Sequence, residues 1–195
     1  MTGRYPTKNG FEFTPTPPGM NKALFRIWSD KKSGLPPPYF DEALDKLLPP
    51  FAEQGLPSSE YTVAELLRDS GYYNALIGKW HLGWDFHFED GEPSDAFFLN
   101  SGEVIDYKKR VKNGPDALGF DYYYGHCGSL DMAPYVYVED GVVTAAPNRI
   151  TVNDDYKGFW GVGPPGSAFY HIPVTPNFVR RSVAVIEARA QAGKP

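Results

Sequence analysis

The chain has 195 residues and a net charge of −5 at neutral pH, so it lacks the basic surface that nucleic-acid binding requires. Its hydrophobic content of 42%, with 15% aromatic residues, supplies enough apolar surface for a folded core and excludes a disordered chain. The single cysteine, Cys127, excludes an internal disulfide framework, and the sequence contains no run of 18 apolar residues that would indicate a transmembrane segment.

Residues 5–60 are rich in proline and are predicted to be mostly surface loop. Proline runs occur at 15–18, 36–38 and 49–50. Proline can continue neither a helix nor a central strand, so these runs indicate irregular structure carried on a more regular scaffold. Within this region, one short amphipathic helix is predicted from Asp41 to Leu48.

Residues 61–83 predict a helix followed by a buried strand. Thr62 and Glu65 have the spacing of a capping box at the start of a helix, and Gly71 is predicted to end that helix. The apolar run 74–79 then predicts a short buried strand. A helix, a tight turn and a buried strand make up half of a βαβ unit, which indicates an α/β layer fold.

Lys79 and His81, at the end of this strand, are the candidate site residues. In open α/β sheets, ligands bind beyond the carboxyl ends of the strands. Because alternate residues of an extended segment share a face, Lys79 and His81 are predicted to point to one side and Trp80 to the other. Two such groups suit an anion with several acceptor oxygens, such as sulfate, phosphate or carboxylate. The alternative is an ordinary salt-bridged strand end.

The rest of the chain divides into a polar excursion at 84–118 and a structured part at 119–195. Residues 119–125 predict a second buried strand that ends in a glycine turn. Residues 135–138 and 142–144, joined by an Asp-Gly turn, predict a β-hairpin.

A closing helix is predicted to begin with Thr175 as its cap and Pro176 at its first position, and to end at Gly193. Its apolar residues recur at helical spacing, which predicts one buried face. That face would carry Val179, Val183, Ile186 and Ala190.

Two motifs resemble the signatures of a known enzyme family. Gly71-Tyr72 followed by Gly-Lys-Trp-His-Leu-Gly at 78–83 resembles the second signature of the type I sulfatases, a branch of the alkaline-phosphatase-like superfamily. Thr2-Gly3-Arg4 resembles the tail of the first signature. The resemblance implies that residues 1–195 are part of a sulfatase catalytic domain. It implies an alkaline-phosphatase-like sheet flanked by helices, incomplete at both ends and lacking other parts of its own domain.

The resemblance also implies a chemistry for these residues. Sulfatases hydrolyse sulfate esters with a formylglycine nucleophile and a Ca²⁺ ion. In this chain the formylglycine position would lie before Met1 and the metal ligands outside the sequence, so no metal ligand is assigned. The resemblance implies that Lys79 holds formylglycine and sulfate oxygens and that His81 bonds the formylglycine hydroxyl. Cys127 lacks the Pro and Arg of the modification motif and is predicted to be a partly buried free thiol.

The glycine-rich loop after the second strand contains two further candidates. In some sulfatases a Ser or His from this loop hydrogen-bonds the sulfate, and Ser129 or His126 would match that position here. The loop varies in length and sequence across the family, so the correspondence is loose. A capped turn with no ligand is the structural alternative.

Three functions stay open from the sequence. The first is a sulfatase segment, inactive alone, whose intact enzyme acts on a sulfated small molecule or carbohydrate in a periplasmic, secreted or lysosomal-type compartment. The second is a phosphatase or phosphonate hydrolase of the same superfamily. The third is a degenerate, non-catalytic chain that binds anions. A chain lacking strands on both sides of its sheet is expected to expose apolar surface and to aggregate when expressed alone.

Overall fold

The computed structural model describes residues 1–9, 20–29, 34, 36, 38–47, 55–88, 105–151, 160 and 163–193. The proline runs at 15–18 and 49–50 lie outside these residues. The helices are α1 (Pro6–Asn9), α2 (Met20–Ser29), α3 (Glu42–Asp45), α4 (Val63–Asp69) and α5 (Val174–Ala192). The strands are β1 (Ala75–Lys79), β2 (Tyr122–His126), β3 (Val138–Glu139) and β4 (Val142–Val143), and a 3₁₀ turn covers Pro115–Leu118.

The four strands form one mixed sheet in the order β1-β2-β3-β4. Strands β1 and β2 are parallel, with Ala75 opposite Tyr122 and Lys79 opposite His126. The other two pairings are antiparallel. The carboxyl ends of β1 and β2 therefore lie side by side at one edge of the sheet, and the predicted α/β class is confirmed. None of the described helices is long and apolar enough to cross a membrane.

Helix α4 begins with the predicted capping box. The Glu65 amide donates to Thr62 Oγ1 at 3.1 Å, and the Thr62 amide donates to the Glu65 carboxylate at 2.7 Å. The Thr62 hydroxyl also donates to the Leu118 carbonyl at 2.7 Å, which ties the helix to the turn that precedes β2. Gly71 follows the helix with a left-handed φ of 87°, as predicted for a helix end.

Strands β1 and β2 approach closely near their carboxyl ends. Gly78 lies opposite Gly125, and a Cβ atom on Gly125 would overlap the Gly78 carbonyl. The Tyr123 hydroxyl lies 3.1 Å from the Gly78 carbonyl oxygen and 3.2 Å from that of His126. Gly125 therefore permits a close approach to β1 that a larger residue would block, directly before the candidate site.

Two hydrophobic clusters form the core of the described part of the chain, and alternate residues of β2 contribute to each. Tyr123 joins a cluster that includes Trp80 and Trp84. Tyr124 joins a second cluster over which α5 packs, with Phe178 meeting the Tyr124 ring edge-on at 6.2 Å. Helix α5 therefore covers one face of the β1–β2 pair.

The predicted hairpin is confirmed, with strands of only two residues each. Asp140 and Gly141 join β3 to β4, with φ values of 46° and 79°. Two consecutive positive φ angles are typical of the type I′ turn, which an Asp-Gly pair favours.

Two helix predictions are wrong in detail. Helix α5 begins at Val174 after Pro173, without a side-chain cap, because the Asn177 amide bonds the Pro173 carbonyl at 2.9 Å and starts the helix before Thr175. Helix α3 covers four residues and not the whole of 41–48, although Asp41 caps it by accepting from two backbone amides.

The predicted buried face of α5 is also wrong, because Val179, Val183 and Ile186 are 57%, 48% and 66% exposed. The helix instead packs through Val174 and Phe178. The predicted end of α5 at Gly193 is confirmed by its left-handed φ of 62°.

Candidate functional site

The candidate site lies where the parallel pair β1–β2 ends. Backbone pairing continues past β1, with the Trp80 amide donating to the His126 carbonyl at 3.0 Å and the His81 amide donating to the Cys127 carbonyl at 2.7 Å. His81 is therefore tied to the start of the loop 127–134. This loop carries Ser129, so the segments that contain the predicted site residues are neighbours.

The turn at His81 is fixed by the side chain of Trp80, the residue before it. Trp80 is 4% exposed, and its indole N–H donates to the Gly83 carbonyl at 2.6 Å. His81 itself has a left-handed φ of 55°. The extended path predicted through His81 is therefore wrong, because the chain turns back towards Trp80 directly after β1.

Lys79 and Ser129 meet across the gap between the strand end and the loop. The Lys79 ammonium donates to Ser129 Oγ at 3.4 Å, a long hydrogen bond. The Lys79 side chain forms no ion pair with any described residue. An ammonium group has three N–H donors, so most of its donating capacity remains for a ligand.

His81 contributes a half-buried imidazole beside this pair. Its Nε2 atom is enclosed and has no hydrogen-bond partner among the described residues. Burial, and then the positive charge of Lys79, lowers the pKa of His81, while the charge of Asp131 acts in the opposite direction. His81 is therefore neutral at pH 7, with an unsatisfied ring nitrogen in a site that already holds a cation.

Asp131 is a residue that the sequence did not assign to the site. It lies two positions after Ser129, in a turn that the Met132 amide closes by donating to the Ser129 carbonyl at 3.0 Å. Its carboxylate acts electrostatically on His81. The sequence signal that was available is its place in the same short turn as Ser129.

His126 lies deeper than the other predicted residues. It is 7% exposed, its Nδ1 atom is 2.6 Å from the Gly128 carbonyl oxygen, and its ring stacks on Phe178 with centroids 5.5 Å apart. Burial lowers its pKa to about 4. The structure thus brings Lys79 and Ser129 into contact, places the half-buried His81 ring within electrostatic range of Lys79, and places the His126 ring in the core.

The described residues do not provide the metal site or the nucleophile that sulfatases use for catalysis. No group of three or more His, Cys, Asp or Glu side chains that could hold a metal ion occurs in the described part of the chain. Cys127 is a free thiol packed against the first core cluster, and burial raises its pKa to about 12. A thiol that remains protonated at neutral pH offers no nucleophile.

Two known proteins with similar sequences are both described as sulfatases. N-acetylgalactosamine-6-O-sulfatase of Bacteroides thetaiotaomicron is 33% identical over 105 residues, which cover 52% of this chain and 18% of that protein. Human steryl-sulfatase is 37% identical over 125 residues, which cover 64% of this chain and 14% of the enzyme. The chain is related to the sulfatases. It spans less than a fifth of the length of these two relatives. No protein-family profile matches it.

The fold comparison agrees with the sulfatase relationship. A solved Bacteroides thetaiotaomicron sulfatase, described in work on the metabolism of multiple glycosaminoglycans, matches with a TM-score of 0.50 and 20% identity. The match covers 71% of this chain and 33% of the solved chain. At this identity the match supports a shared fold alone.

Proposed function

We propose that this chain supplies the sulfate-binding side of a sulfatase active site. The observation that carries the proposal is the contact of the Lys79 ammonium with Ser129 Oγ at 3.4 Å, beside the unsatisfied imidazole of His81. These groups come from β1, from the turn after it and from the loop after β2. They converge at the sheet edge where α/β proteins bind ligands.

Each group has a role that follows from its chemistry. A sulfate ester carries a negative charge that repels nucleophiles, so a cation at the sulfate oxygens favours the reaction. The Lys79 ammonium provides this charge and donates hydrogen bonds. The Ser129 hydroxyl donates a neutral hydrogen bond, and the neutral His81 ring can donate or accept one at its free nitrogen. The roles proposed for these three groups are to bind and orient the sulfate.

The proposed substrate of the intact enzyme is a sulfated small molecule or carbohydrate. The names of the relatives support this class, because one is an N-acetylgalactosamine-6-O-sulfatase and another a steryl-sulfatase. The chain covers too little of either protein to favour one substrate over the other.

A second candidate is binding of an anion without catalysis. It is favoured by the three described groups themselves, because Lys79, Ser129 and His81 are all suited to binding an anion. A phosphatase or phosphonate hydrolase would use the same three groups, since phosphate and sulfate have the same tetrahedral shape.

The experiment that tests the proposal is a titration of the 195-residue chain with inorganic sulfate, followed through the amide signals of residues 79–81 and 129 by NMR. We expect saturable shifts at these residues, and binding about tenfold weaker in Lys79→Met, since one charge-assisted hydrogen bond is lost. The matched control is Lys108→Met, which removes an exposed lysine from another turn. The sulfate-site proposal fails if shifts do not saturate, or if both lysine variants weaken binding equally.

Two further measurements separate the alternatives. Inorganic phosphate that binds much more tightly than sulfate would favour the phosphatase alternative. Hydrolysis of a generic aryl sulfate, assayed with the encoding gene's flanking sequence restored and the formylglycine-generating enzyme co-expressed, distinguishes catalysis from binding. If sulfate binds but the extended protein does not turn over, the non-catalytic alternative stands.

A further inference from the structure

We propose that His126 is a positioning residue that holds the Ser129 loop in its binding conformation and does not itself contact the substrate. The inference rests on the proposed function, because it assigns the role of a side chain at the start of the loop that carries Ser129. It concerns how the loop between β2 and β3 is held, which neither the sequence motifs nor the relatives specify.

The first observation is the hydrogen bond at the start of the loop. The His126 Nδ1 atom lies 2.6 Å from the Gly128 carbonyl oxygen. A carbonyl oxygen can only accept, so Nδ1 must carry the proton. Gly128 is buried and immediately precedes Ser129, and this bond therefore fixes the peptide that carries the Ser129 amide.

The second observation is what this bond leaves available on the ring. Burial keeps the pKa of His126 low, so the ring is neutral at pH 7, and a neutral imidazole has only one N–H. That N–H is used on Gly128, so the ring has no donor to offer a sulfate oxygen, which accepts hydrogen bonds and does not donate them. A direct contact with the substrate would therefore be unfavourable. A structural role requires only the hydrogen bond that the ring already makes to Gly128.

The third observation is the set of contacts that fix the ring. It stacks on Phe178 of α5 with an interplanar angle of 20° and meets Phe169 edge-on at 6.3 Å. At the strand end, His126 is in register with Lys79. The ring of His126 is thus packed against α5, and its backbone is paired with β1.

A second histidine lies near the same loop. Burial lowers the pKa of His171, while the backbone of Leu130, the residue after Ser129, acts in the opposite direction, and the His171 ring packs against Tyr135 and Trp160, each with centroids 4.5 Å away. An imidazole therefore lies near the residue on each side of Ser129, and that of His126 is hydrogen-bonded to the Gly128 peptide. Such support limits the rotations that would carry the hydroxyl away from Lys79.

The proposal is tested first on the unaltered 195-residue chain by imidazole ¹⁵N–¹H correlation NMR at neutral pH. We expect His126 to be protonated on Nδ1 and unprotonated on Nε2. The opposite tautomer, with the proton on Nε2, would overturn the assignment, because the bond to Gly128 could not then exist. This result does not depend on whether sulfate binds.

Two variants then separate the hydrogen bond from ring packing. His126→Asn keeps a donor near the Nδ1 position and loses the stack on Phe178, whereas His126→Phe keeps a ring and loses the donor. We expect the Met132 amide, which bonds the Ser129 carbonyl, to exchange with solvent about fivefold faster in His126→Phe than in His126→Asn, as one neutral hydrogen bond is lost. Sulfate affinity should fall by a similar factor in His126→Phe and stay within about twofold in His126→Asn.

The outcomes separate the two proposals. Equal exchange rates in the two variants, or faster exchange in His126→Asn, would overturn the positioning role. If the unaltered chain fails to bind sulfate while the tautomer and exchange results hold, the sulfate site fails and the positioning of the loop stands. If His126→Phe does not fold, two measurements still test the positioning role. They are the tautomer of His126 in the unaltered chain and the exchange rate of the Met132 amide in His126→Asn compared with the unaltered chain.

Discussion

His126 is a buried residue whose charged form is unfavourable in the folded chain. Its pKa falls from the usual 6.5 to about 4, chiefly through burial. Between these two values the unfolded chain binds a proton that the folded chain does not, so the free energy of unfolding rises with pH across this window. The contribution is complete above about pH 6.5 and is lost as the pH falls to about 4.

This shift predicts a pH-dependent stability. From about pH 7 to about pH 4, His126 should account for a loss of roughly 3 kcal/mol in the free energy of unfolding. Urea unfolding at both pH values measures the loss, and His126→Asn should show a loss smaller by about this amount. His81 and His171 also have lowered pKa values, but they remain in both proteins and cancel in the difference. An identical pH dependence in the two proteins would contradict the buried, neutral state of His126.

Among single residues, the sequence named candidate residues but not how they lie relative to one another. Lys79 and Ser129 were named separately as candidates, and the structure places their side chains in contact. The extended path that would place Lys79 and His81 on one face is wrong, because His81 turns out of it at a φ of 55°. Periodicity along a strand carries no information past its last residue. The bond between Trp80 and Gly83 that shapes this turn is a property of the folded chain.

At the scale of elements, α4 shows how a local motif can also carry a tertiary contact. Thr62 caps the helix through Glu65, and its own hydroxyl donates to the Leu118 carbonyl. Thr62 is 1% exposed, so removing its hydroxyl leaves both the Glu65 amide and the buried Leu118 carbonyl without a partner. We expect Thr62→Ala to lower the free energy of unfolding by about 2 to 3 kcal/mol.

The matched control for this change lies at the other end of the same helix. The Ser70 hydroxyl donates to the Leu66 carbonyl at 2.8 Å but is exposed, so water can replace the bond. Ser70→Ala should therefore change the free energy of unfolding by less than about 0.5 kcal/mol in the same urea titration. Comparable losses in the two variants would show that the contact of Thr62 with Leu118 contributes little.

Helix α5 shows where sequence patterns reach their limit. The helix and its end at Gly193 were predicted, because glycine at that position favours the left-handed conformation. The buried face of α5 was not predicted correctly, because apolar residues occur on more than one side of the helix. Val174 and Phe178 pack on the sheet, whereas Val183 and Ile186 face solvent. Periodicity locates apolar faces, but only the sheet opposite decides which of them is buried.

At the scale of the whole molecule, apolar side chains are exposed on both α4 and α5. Leu66 of α4 is 53% exposed, and Ile186 of α5 is 66% exposed. Strand β1 is also at the edge of the described sheet, with one neighbouring strand. Exposed apolar helix faces beside an open strand edge favour association between copies of a chain.

We therefore expect the chain to self-associate as its concentration rises, and light scattering measures this directly. Val183→Lys combined with Ile186→Glu should reduce association, because the change removes two exposed apolar side chains from α5. The matched control, Ala184→Lys with Ala188→Glu, adds the same charges at exposed alanines of the same helix. A chain that stays monomeric at all concentrations, or a control that suppresses association equally, would contradict this explanation.

The central claim is that Lys79, His81 and Ser129 together form a site for a tetrahedral anion. The most direct measurement is a crystal structure of the chain with selenate, whose selenium atom can be located by anomalous scattering. The geometry predicts a selenium peak about 4 Å from Lys79 Nζ, with selenate oxygens within hydrogen-bond distance of Ser129 Oγ and the His81 ring. Selenate bound only elsewhere on the described surface, with none beside Lys79, would contradict the claim.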